Sequence, residues 1–124
     1  MSPRIAAAET RAIWSAANAY LQHAAPWTAI KSDSARAAIV TRTGLNLVRL
    51  SALLAWSIIP ALAERVLHAF GEDEAIPRWP SGPIGALLNA NAGQPVLRLG
   101  PLVAKITAEK ANHLAARFGD RETA

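Results

Sequence analysis

Apolar positions in the first two dozen residues recur at helical steps: Ile13, Ala17, Tyr20 and Ala24, with Trp14 and Leu21 widening the stripe. The helix this predicts starts near Pro3, a residue suited to a first turn, and runs to about residue 24. Arg11, Ser15, Asn18 and Gln22 fall on a different stripe, entirely polar, which by default is a solvated face. Pro26 then forces a stop, because it lacks an N–H and biases the residue before it toward extended geometry. Ala25 is expected to leave the helix, with the indole of Trp27 emerging at its end on a stiff proline. Such a ring serves either as a lid on the core or as an exposed platform for a flat partner. Residue type alone favours the lid, since large aromatics are mostly buried.

After a short polar connection, Ser34 or Asp33 can cap a second helix over about 35–57. Ile39, Val40, Leu47, Leu50, Leu53, Leu54 and Ile58 give it more apolar surface than one narrow stripe holds, so it is expected to be central. Arg42, Asn46 and Arg49 share its remaining polar face. Gly44, costing about 1 kcal/mol against alanine, points to a neighbouring helix packed close. Pro60 opens a third helix over about 60–70, buried through Leu62, Val66 and Phe70 and closed by Gly71. Trp79-Pro80, beyond an acidic loop, is expected to plug the core. A short helix at 84–89 and a final one at about 107–117 follow, the latter capped by Thr107 with Leu114 and Phe118 as core contacts. The tail over 119–124 is expected to fray. The pattern predicts an all-α fold, an antiparallel bundle of four to five helices forming a single domain over residues 1–124.

Composition narrows the function more than the fold. With 52% hydrophobic residues in 124, the chain can bury a core, and the absence of cysteine removes disulfides, thiolate metal sites and thiol nucleophiles. A net charge of +4 favours a polyanionic partner. The apolar run after Arg49 is broken by Pro60, too short to span a bilayer. His23, His68 and His113 stand far apart, Asp33 and Glu64 have no partner for acid–base work, and no glycine-rich loop cradles a phosphate. No catalytic residue, metal site or cofactor is therefore expected in this chain.

Several short motifs occur in a definite order. Asn18-Ala19-Tyr20-Leu21 precedes Ala25-Pro26-Trp27 and Lys31, and the second long helix carries Leu45-Asn46-Leu47-Val48-Arg49. Ile59-Pro60, Trp79-Pro80 and Leu99-Gly100-Pro101-Leu102 running to Lys105-Ile106 complete the series. From about Trp14 to Phe118 the chain resembles the anticodon-binding helical domain of methionyl-tRNA synthetases. The resemblance implies that Trp27 stacks at the anticodon, that Pro26 fixes it, and that Asn18 and Tyr20 match the helix positions before them; Asn18 can face the RNA or pair with its own helix end, and Tyr20, on the apolar stripe, is expected to be core. Gln22 and Arg11 extend the same stripe, and Arg42 and Arg49 are candidates for phosphate contacts on physical grounds alone. The nucleotide-binding motifs of that enzyme family are absent here, so ATP and methionine would bind a catalytic domain that this chain lacks. The implied role is a tRNA-binding, non-catalytic part of a cytoplasmic methionine–tRNA ligase, partnered by tRNA and by the catalytic domain. Two other readings stand beside it: a helical docking or dimerisation domain without RNA contact, and the anticodon domain of a leucine, isoleucine or valine ligase. The compact spacing from Asn-x-Tyr to Pro-Trp points to the methionine branch.

Overall fold

Prolines open three of the five helices found among the described residues, each at a first-turn position where the missing N–H costs nothing. The computed structural model describes residues 2–79, 81–82 and 93–119, and among them no strand occurs. The elements are α1 (Pro3–Ala24), α2 (Pro26–Ala29), α3 (Ser34–Ala55), α4 (Pro60–Ala69) and α5 (Ala108–Phe118). The helix expected over 84–89, Pro80, and the tail beyond Gly119 lie outside the described residues.

α1 and α3 run antiparallel. Trp14 Nε1 donates to the carbonyl of Ser51 at 3.3 Å near one end of the pair, while Leu21 covers Gly44 near the other. A Cβ placed on Gly44 would stand 2.6 Å from Leu21 Cδ2, so the close approach expected at this glycine is real. The face that α1 turns inward is Thr10, Trp14, Ala17, Leu21 and Ala24, whereas Ile13 and Tyr20 are exposed. Alanines leave the stripe loosely defined, and the two large residues Trp14 and Leu21 decide which face packs. Tyr20 is therefore not the core residue the pattern suggested.

α3 is capped by Asp33, whose carboxylate accepts from the Arg36 N–H at 3.0 Å. By length and composition it could cross a membrane, but α1, α2 and α4 all pack on it, which makes it the shared wall of the bundle. Asn46 belongs to that interior rather than to a polar face. It is buried, and its amide donates to the carbonyl of Arg42 at 3.0 Å.

Ala52 and Leu53 of α3 meet Val66, Leu67 and Phe70 at α4, with Leu50, Leu62 and Leu102 packed around them. α4 ends in a Schellman turn: Gly71 at φ 77° donates to His68 O at 2.8 Å, and Glu72 N to Leu67 O at 3.1 Å. The following chain returns along α4, tied by Leu97 N to Ala69 O at 2.9 Å and by Arg65 Nη1 to Leu102 O at 3.2 Å. Two expectations fail at this end. Trp79 is exposed instead of plugging the core, whose space Leu67, Phe70 and Leu102 already fill. Leu114 and Phe118 are not core contacts either, because no residue of α5 is buried.

Candidate nucleic-acid interface

The corner between α1 and α2 is built from main chain. Ala25 leaves the helix as expected, but to left-handed geometry, φ 42° and ψ 65°, and not to an extended one. Its N–H still bonds Leu21 O at 3.0 Å, and its carbonyl accepts from Thr28 N at 2.9 Å and Ala29 N at 3.0 Å. One residue thus finishes α1 and starts α2, at a strain cost that glycine would avoid. Pro26 is half-buried with its carbonyl bonded to Ile30 N at 3.0 Å, and Trp27 stands on this turn with 54% of its surface open to solvent. Trp27 is therefore not the buried lid that residue type alone favours.

Arg11, Ser15, Asn18 and Gln22 are all exposed, and their spacing lines them along α1 toward that corner. Asn18 also edges an apolar groove of about 310 Å³ bounded by Trp14, Leu21, Val48 and Leu62. The two arginines lie on another face of α3. Arg42, exposed, and Arg49 border a cavity of about 440 Å³ walled by Ile30, Leu45, Phe70 and Val96. Ile30 directly follows α2, so this cavity begins at the foot of the Trp27 turn. Arg49 is mostly covered and paired with Glu72, the residue just past the Schellman glycine. That ion pair makes Arg49 a strut between α3 and the end of α4, in place of the open cation the sequence suggested. The candidate residues therefore form one group along α1 and its corner, and a second beside the cavity on α3.

The short helix α2 that carries Trp27 was not foreseen, and neither were two further features of this surface. The left-handed Ala25 has no sequence signal beyond the proline after it, since glycine or asparagine usually fills such a position. Glu72 lies in what reads as a solvated acidic loop, and its partner is 23 residues earlier, beyond any local pattern. Among the described residues no three of His, Cys, Asp and Glu gather as metal ligands would.

An all-α bundle that presents a tryptophan on a proline-fixed helix corner, with a polar stripe leading to it, defines a helical module with an aromatic platform. Residues 1–123 match the family model of the anticodon binding domain of methionyl tRNA ligase, and the chain belongs to that family. It is 44% identical over 120 residues to a methionine–tRNA ligase of Caulobacter vibrioides (strain NA1000 / CB15N), an alignment covering 96% of this chain and 21% of that protein. A methionine–tRNA ligase of Ruegeria sp. (strain TM1040) is 41% identical over 124 residues, covering 100% of this chain and 21% of its own length. One from Maricaulis maris (strain MCS10) is 44% identical over 121 residues, covering 96% and 21% respectively. The chain thus spans about a fifth of the length of the curated relatives it matches. No solved structure matches it.

Proposed function

We propose that this chain binds the anticodon loop of a methionine-specific tRNA as the non-catalytic part of a cytoplasmic methionine–tRNA ligase, joined to the catalytic domain that activates the amino acid. The observation that carries this reading is the exposure of Trp27 on a turn held by hydrogen-bonded main chain beside Pro26. Unpaired loop bases expose flat faces, and single-stranded loops are where proteins read RNA sequence. A fixed indole contributes about 1–3 kcal/mol of stacking per base. Asn18, Gln22 and Arg11 supply amides and a guanidinium along the approach, and Arg42 faces the neighbouring cavity.

Trp27→Ala is expected to weaken binding of the anticodon stem-loop by about 1–3 kcal/mol with helical content by circular dichroism unchanged. Trp27→Phe should retain most of the affinity. A melting transition that collapses together with binding would make the ring a structural residue and remove the platform. The rival reading, a docking module without RNA, draws support from the exposed Ile76 and Trp79. Light scattering with and without tRNA separates the two: a complex with RNA supports the first, self-association indifferent to RNA the second.

A further inference from the structure

The polar face of α3 is turned to a cavity more than to bulk water. Arg42, Asn46 and Arg49 recur at steps of four and three, and all three line the space of about 440 Å³ that opens beside α2. Two of them are set in place from within the fold. Asn46 is only 5% exposed and gives its amide to the Arg42 carbonyl at 3.0 Å, while Arg49 is paired with Glu72. The opposite wall is the returning chain over 93–96, which is tied down where Leu97 N donates to Ala69 O at 2.9 Å. Ile30, Phe70 and Val96 supply apolar wall, and Thr41, Arg42 and Gln94 supply hydroxyl, guanidinium and amide groups. Empty cavities in proteins are lined with apolar groups, and this one is not. Its size, its mostly apolar wall and its few polar groups on fixed elements are those of a site for a small, flat molecule.

We infer that this cavity receives a second unpaired base of the RNA loop, the neighbour in the strand of the base stacked on Trp27. The inference rests on the RNA-loop reading proposed above. Ile30 forms an edge of the cavity and stands three residues past Trp27, about 5 Å along the helix axis, which is comparable to one nucleotide step. A base splayed out of its stack needs enclosure for its faces, which the Phe70 ring and the aliphatic wall offer. It also needs donors and acceptors for its edge, and an amide and a guanidinium are the groups that read base edges. An aliphatic side chain from a protein partner would fill the same wall but desolvate Arg42 and Gln94 without returning a hydrogen bond.

Anticodon stem-loops with an abasic residue at one loop position at a time test this, their dissociation constants read by fluorescence anisotropy. They are titrated with the unaltered chain, with Trp27→Ala, and with Ala38→Phe, whose ring fills the cavity from α3. Losing the base at either of two adjacent loop positions should weaken binding by the unaltered chain about 10-fold. Ala38→Phe should weaken binding of the intact loop about 10-fold too. It should make the abasic change harmless at one of the two positions while leaving its full cost at the other, and Trp27→Ala should show the reverse pattern. Gln94→Ala, on the wall outside any helix, should weaken binding and pair with the same position as Ala38→Phe, so the result does not depend on how α3 tolerates the larger ring. Sensitivity at a single loop position would overturn the inference. So would an Ala38→Phe loss spread evenly over all positions, or unchanged affinity in both cavity variants. If the cavity variants pair with a loop base while Trp27→Ala pairs with none, the platform fails and the base-binding cavity stands; a chain that takes up no stem-loop removes both.

Discussion

Ala25 carries a disproportionate share of the geometry for so small a side chain. Holding a non-glycine residue at positive φ costs on the order of 1–3 kcal/mol, and here the return is the turn from α1 into α2 that presents Trp27. Ala25→Val should lower the unfolding free energy by about 1–3 kcal/mol in urea titrations, since a β-branched residue tolerates that region worst, whereas Ala25→Gly should not destabilise by more than about 1 kcal/mol. If valine is tolerated as well as glycine, the corner is relaxed and the main chain does not fix the indole. Residues of this kind mark the limit of sequence reading. Proline's stop and the tryptophan's emergence follow from covalent geometry, but which of two non-helical regions Ala25 adopts depends on whether its carbonyl finds Thr28 and Ala29. The pairing of Arg49 with Glu72 is hidden for the same reason: it is created by the Schellman turn, and local periodicity says nothing of where a turn points a carboxylate.

At the scale of helices, α1 and α3 approach as closely as they do because Gly44 leaves space for Leu21. Gly44→Val should cost about 1–3 kcal/mol through overpacking, read as a lower urea midpoint at unchanged m-value. The alternative, a gain from better helix propensity, would mean that Leu21 swings away freely and the pair is loosely packed. Most helix starts were legible because capping and first-turn proline are local chemistry: Asp33, Thr107, Pro3 and Pro60 each act within one turn, whereas Pro26 reads as a stop and its opening of α2 was not expected. Burial faces were less legible. An alanine-rich helix presents weakly apolar surface all round, so the period of Ile13 and Tyr20 competed with that of Trp14 and Leu21, and the fit of Leu21 on Gly44 and of Trp14 against Ser51 decided. α5 shows the opposite failure. Its stripe reads as a core face, and it stands in solvent because nothing described in this chain covers it.

For the molecule as a whole, 13 Lys and Arg against 9 Asp and Glu favour an anionic partner, and the number of phosphates contacted sets how binding responds to salt. Each phosphate contacted on a single strand lowers the slope of log K against log salt by about 0.7. Arg11 and Arg42, both exposed, are the candidate phosphate contacts, so a slope of about −1 to −2 is expected for the anticodon stem-loop. A flat dependence would argue against RNA altogether. A shallow response would fit the proposed role, in which stacking on one indole supplies more of the affinity than charge does.

The open indole at the α1–α2 corner also makes the molecule its own optical gauge. A dissolved quencher such as iodide collides freely with a ring half in water, and a nucleobase lying flat on it would shut that access. In a Trp79→Phe background, which removes the other exposed emitter, adding the stem-loop should shield the remaining fluorescence from iodide. Quenching that proceeds undiminished in the complex would show the base resting elsewhere.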